Sequence, residues 1–153
     1  MQVPRESGRA RAAVIALTLM ASARAMTIAF IPRAGDGGAG DPPQAWLMPL
    51  WGDAIIGVSA LVVAWILVTR RNPTSWMVAV VWSAIAAFDA LAAYMVDVAT
   101  PWPDFFMIEI FGRAMFFAAA AMHLVIIALL ARAEVRHTYG VPTASATAIA
   151  PNA

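Results

Sequence analysis

The sequence predicts an all-α protein, a four-helix transmembrane bundle with both termini in the cytoplasm. Three observations predict it: a large excess of apolar over charged residues, four apolar stretches of membrane-crossing length, and a one-sided distribution of arginine. Of the 153 residues, 62% are hydrophobic and 12% are charged, against about a quarter charged in a typical soluble domain. A chain this short and apolar has too little polar surface to cover a globule in water, so lipid is its natural solvent.

The apolar stretches run at about Ala12–Ile31, Leu47–Val68, Trp76–Val96 and Phe105–Ala131, each near the roughly 20 residues that cross a hydrocarbon core. Polar segments with turn residues separate them: Pro32–Trp46, rich in Gly and Pro, then Thr69–Ser75, then Asp97–Asp104 with its Thr-Pro-Trp-Pro-Asp run. Asn72-Pro73-Thr74-Ser75 supplies capping side chains before the third stretch, and Asp104 follows Pro103 directly before the fourth. Residues 1–137 form one domain, and the Thr/Ala/Pro-rich tail over 138–153 is expected to be disordered. No internal repeat is present.

Arginine sets the orientation. Arg5, Arg9 and Arg11 precede the first stretch, Arg70 and Arg71 lie between the second and third, and Arg132 and Arg136 follow the fourth. The other two connections hold Arg33 against Asp36, Asp41, Asp97 and Asp104. By the positive-inside rule both termini and the Arg70-Arg71 connection are cytoplasmic. Trp46, Trp51 and Trp102 would then sit in the outer interfacial belt and Trp76 in the inner one. The arginine-rich start, the short apolar run and Ala21-Ser22-Ala23 also fit a cleavable signal peptide. The run continues through Met26–Ile31, however, which favours a full span.

Several function classes fall away. There is no cysteine, which removes disulfides, thiolate catalysis, iron–sulfur clusters and Cys-based zinc sites. The net charge of +1 gives no reason to expect nucleic acid. All the basic residues are arginine and alanine is abundant, as in a high-GC bacterial genome, so the expected location is a bacterial inner membrane.

Charged residues inside spans are costly and call for a partner or a purpose. Arg24, Asp53, Asp89, Glu109 and Arg113 fall inside the four stretches, all roughly 6–12 Å below the outer boundary at helical rise. Every helix contributes to this one layer. Glu109 and Arg113 are spaced i,i+4 and are expected to pair, with Phe116, Ala120 and His123 continuing their stripe. Gly57, Ala60 and Ala64 beneath Asp53 form a small-residue seam, and Ala86 and Ala93 flank Asp89, so the charges should point into the bundle. Two arginines against three carboxylates leave one acid to be completed by a proton, water or a ligand. The arrangement suits either an interhelical ion-pair network or a polar pocket open to the outer side.

His123 is a secondary candidate, read as a polar residue hydrogen-bonded within the bundle. His137 lies in the cytoplasmic tail, so bis-histidine haem ligation is unsupported, and no metal or other cofactor is expected. Gly35–Gly40 lacks the strand, helix and Lys-Ser/Thr of a phosphate loop. Asp97 and Asp104 read as helix-end caps, and Arg70-Arg71 as a topology determinant and a contact for anionic lipids.

In size and layout the chain resembles the small four-helix bacterial membrane proteins of DoxX-like size. The resemblance covers the four spans and implies only their architecture. The expected function is binding of a small polar or lipid-like ligand in the charged pocket, or service as an accessory subunit beside a membrane-protein partner. The alternative is a small intramembrane enzyme acting on a lipid or isoprenoid. It would use Asp53, Asp89 or Glu109 as acid/base, with an arginine stabilising developing negative charge.

Overall fold

A computed structural model describes residues 5–36, 42–102 and 105–142. Every regular element among them is helical: α1 (Arg5–Met20), a 3-10 segment (Ala21–Phe30), α2 (Ile31–Gly35), a short 3-10 turn (Pro43–Trp46), α3 (Leu47–Thr69), α4 (Pro73–Ala99), α5 (Phe106–Phe111), α6 (Ala114–Ala131) and α7 (Ala133–Thr138). Four continuous helical runs are long and apolar enough to cross a membrane: Gly8–Gly35, Gln44–Thr69, Pro73–Ala99 and Ala114–Ala131.

Local sequence explains where these helices start and stop. The Asn72 carboxamide accepts hydrogen bonds from the Ser75 N–H at 2.9 Å and the Ser75 hydroxyl at 2.7 Å, with Pro73 in the first turn, where its missing N–H costs nothing. In the first run the ladder must change before Pro32, which has no N–H to give. The Ile31 N–H accordingly bonds the Ile28 carbonyl in 3-10 fashion, and Pro32 opens α2.

Packing order around the bundle follows the chain. The 3-10 segment of the first run lies on α3, α3 on α4 and α4 on α6, while α1 closes the ring against α3, α6 and α7. Two apolar cores result. One, at the end bearing Arg5 and α7, joins Val14, Leu67, Ile126, Leu130, Val135 and Tyr139. The other, at the opposite or distal end, joins Ala34, Trp46, Leu50, Trp102, Phe105 and Phe116.

Side-chain size is sorted in the sense opposite to that of a water-soluble protein. Alanines at 60, 64, 79, 86, 90 and 93 fill the helix contacts, whereas Met48 is 84% and Phe88 73% exposed. Small residues inside let helix backbones approach, and large apolar residues outside suit hydrocarbon.

Three expectations are corrected. The fourth helix does not run unbroken from Phe105, because Gly112 adopts φ +61° between α5 and α6, a positive-φ conformation that favours glycine and that no helix contains. The chain from 138 onward is not uniformly a loose tail. Tyr139 is wholly buried and its hydroxyl donates to the Leu67 carbonyl at 3.2 Å; residues 143–153 lie outside the described residues. Trp46 and Trp102 are not on the outer surface but in the distal core, where the Trp46 indole N–H donates to the Thr100 carbonyl at 2.7 Å. Trp51 is exposed.

Candidate functional site

The site is built on a close approach of two backbones. Gly57 on α3 sits against the first helical run so tightly that an added Cβ would lie 2.7 Å from Ala25 Cα and 2.8 Å from the Arg24 carbonyl carbon. Five residues earlier on α3, Gly52 leaves room for the Asp89 carboxylate, whose carboxyl carbon would be 2.9 Å from a Cβ there. These two glycines bring the first run, α3 and α4 together around one arginine.

Arg24 lies between two carboxylates. Its Nε donates to Asp53 on α3, its Nη2 donates to Asp89 on α4, and its Nη1 donates to the Ala86 carbonyl at 3.1 Å. All three nitrogens are engaged, and the Arg24 side chain is 11% exposed. Formally the trio carries one excess negative charge when both acids are ionised. A guanidinium shared by two carboxylates is geometrically strong, and losing it would leave two buried acids facing each other.

Glu109 and Arg113 do not belong to this cluster and do not pair with each other. The turn at Gly112 falls between them and destroys the i,i+4 register on which their pairing depends. Glu109 is exposed on α5. Arg113 instead donates from Nε to the Asp97 carboxylate at 2.6 Å. Asp97 is buried because α4 continues to Ala99, past the expected end at Val96. Asp97 is therefore no helix cap but the acceptor of a second, separate ion pair, and Asp104 lies outside the described residues.

His123 is fully buried, its ring edge-on to Trp82 with centroids 5.1 Å apart. The Trp82 indole N–H donates to Ser59, not to the histidine, at 2.9 Å. Neither His123 nitrogen has a hydrogen-bond partner among the described residues, nor does the buried Ser83 hydroxyl. The expected intrabundle hydrogen bond is thus not made. An unpartnered buried polar ring contributes little that an apolar one would not. His123→Leu is accordingly expected to leave the melting temperature in detergent unchanged or to raise it by a few degrees; a fall of about 5 °C or more would show that the imidazole is holding the bundle.

Beside the arginine cluster is a cavity of about 230 Å³. Arg24, Thr27 and Asp53 form its polar end, and Phe30, Trp46, Phe105 and Phe116 supply aromatic walls. Ala23 and Met26 on one side are exposed, while Met115 and Ala119 on the other are half-buried. That rim lies on the apolar outer face between the first run and α6. Asp89, Glu109, Arg113 and His123 do not line it. No group of three or more His, Cys, Asp or Glu side chains able to hold a metal occurs among the described residues.

Sequence reasoning missed Thr27 and Asp97. The hydroxyl of Thr27 reaches the Arg24 carbonyl at 2.7 Å and the Leu50 carbonyl at 3.2 Å, tying the first run to α3. Its signal was available in the i,i+3 spacing from Arg24. No family model, curated protein or solved structure matches the chain, so the site is read from its own geometry.

Proposed function

We propose that this chain is a multi-pass protein of a bacterial inner membrane that binds a lipid-like amphiphile in the cavity beside Arg24. One observation carries the reading: the cavity is apolar along most of its wall, polar at one end, and open on the bundle's apolar outer face. Such a shape matches a molecule with one polar group and a hydrocarbon body, entering sideways from the bilayer. At about 230 Å³ it falls below the roughly 300–1,000 Å³ of a drug-sized site. It therefore suits a head with a short chain, or the first part of a longer one.

The arginine distribution supports cytoplasmic termini, with the distal end and its cavity in the outer half of the bilayer. Reporter fusions after Ala131 and within residues 69–75 are expected to read cytoplasmic. A fusion at Gly37 is expected to read external, and any reversal among the three overturns the orientation. The enzyme alternative gains less support, since it needs an arginine free to meet developing charge and every nitrogen of Arg24 is engaged.

Native mass spectrometry of the chain extracted from membranes tests the binding reading. An amphiphile is expected to stay with the unaltered protein and with Gly35→Ala, a position where an added Cβ meets nothing within 4 Å. It should be lost from Ala119→Trp, which fills the rim. Equal retention by all three proteins would mean the cavity is not the binding site.

A further inference from the structure

The hydrogen-bonding inventory of the cavity is lopsided. Every side-chain donor group on its wall already has an acceptor: each Arg24 nitrogen bonds Asp53, Asp89 or the Ala86 carbonyl, the Thr27 hydroxyl reaches two carbonyls, and the Trp46 indole donates to the Thr100 carbonyl. Acceptors remain. Asp53 lines the cavity and gives Oδ1 to Arg24, while its Oδ2 has no hydrogen-bond partner among the described residues. A ligand with only acceptors would therefore have to compete with bonds already made, and an anion would meet a trio that carries excess negative charge when both acids are ionised.

The remaining wall favours the opposite charge. Phe30, Trp46, Phe105 and Phe116 present aromatic rings around the same space, and ring faces attract cations, as in sites that recognise ammonium groups. A carboxylate oxygen at one end and aromatic walls around it are complementary to a single positive group carrying N–H donors. Desolvation strengthens both attractions in an enclosed, apolar surround. The methionine and alanine rim leaves room only for hydrocarbon behind that head.

We infer that the occupant of this cavity is an ammonium-bearing amphiphile, its nitrogen donating to Asp53 Oδ2 and its alkyl chain leaving past Met26 and Met115. The inference rests on the binding reading above and narrows it to one charge class. With both acids ionised, the ligand's cation completes the neutralisation that Arg24 alone leaves unfinished.

Hexylammonium, hexanol and hexanoate share a chain and differ in head charge, so they separate the claims. Isothermal titration of the purified full chain in maltoside micelles is expected to show hexylammonium binding at least tenfold more tightly than hexanol, with hexanoate weakest. Asp53→Asn keeps an amide oxygen for Arg24 and should erase the ammonium preference, hexylammonium falling to about the affinity of hexanol. Phe116→Leu, which removes a ring and not a charge, should weaken hexylammonium several-fold more than it weakens hexanol. Binding of all three probes with equal affinity, or best binding of hexanoate, each abolished by Ala119→Trp, would overturn the ammonium assignment and leave the amphiphile site standing. Binding that Ala119→Trp does not alter, or no binding of any probe, would overturn both.

Discussion

Arg24→Ala is expected to lower the melting temperature of the protein in detergent by about 10 °C. Removing one member of a buried ion pair typically costs about 3–5 kcal/mol because its partner is left charged and unpaired, and each kcal/mol shifts a domain of this size by roughly 2–4 °C. Here two partners are stranded, Asp53 and Asp89, which face the same guanidinium from different helices. Adding Asp53→Asn and Asp89→Asn to Arg24→Ala should recover at least half of the loss, since the acids then no longer oppose burial or each other. Arg113→Ala should cost less than Arg24→Ala, because it strands one carboxylate, Asp97, where Arg24→Ala strands two that face each other. If Arg113 proves the more damaging loss, or the triple variant is no better than the single one, the cluster is not what joins these helices.

Gly57→Ala should be nearly as damaging, by a different route. Its new methyl group would occupy the space of the Ala25 and Arg24 backbone, and a backbone cannot rotate out of the way as a side-chain end can. Overpacking of this sort commonly costs about 1–3 kcal/mol. Moving the first run away from α3 would also stretch the Arg24 contacts to Asp53 and Asp89. The expected outcome is a fall of about 5 °C or more, together with loss of most of the additional penalty when Arg24→Ala is combined with it. Gly35→Ala is the matched control and should be silent. Additive melting shifts for Gly57→Ala and Arg24→Ala would show that the backbone approach and the ion pairs are independent.

The four long helices were legible because hydrophobic length and arginine placement are properties of whole segments, insensitive to any one residue. The site was legible in part. Arg24, Asp53 and Asp89 were brought to a common layer by counting residues along helices, and the folded chain does join them. The count failed at Glu109 and Arg113 because it assumed an unbroken helix across Gly112. Gly112 was the available stop signal, a residue that takes positive φ without strain, and the span was drawn straight through it. Asp97 was misread for the converse reason. Val98 and Ala99 extend α4 past it, so a residue assigned to a loop lies inside the last turn, where it is buried. Tyr139 was lost to compositional reasoning: a polar segment was read as loose although one aromatic ring in it returns to the core.

The winding of the first run bears on the shape of the cavity. Runs of 3-10 helix beyond three or four residues are uncommon, and their side chains at i and i+3 eclipse one another. Ala21–Phe30 is ten residues of this kind, and Arg24, Thr27 and Phe30, spaced by three, all stand on the cavity wall. They form a straight column from the charged end to the aromatic end. Wound as α-helix, the same ten residues would be about 5 Å shorter and would carry Phe30 about 120° around the axis from Arg24. The column would become a spiral and the wall would lose its upper half. Helix type is thus the calliper that sets both the length of this groove and which ring closes it.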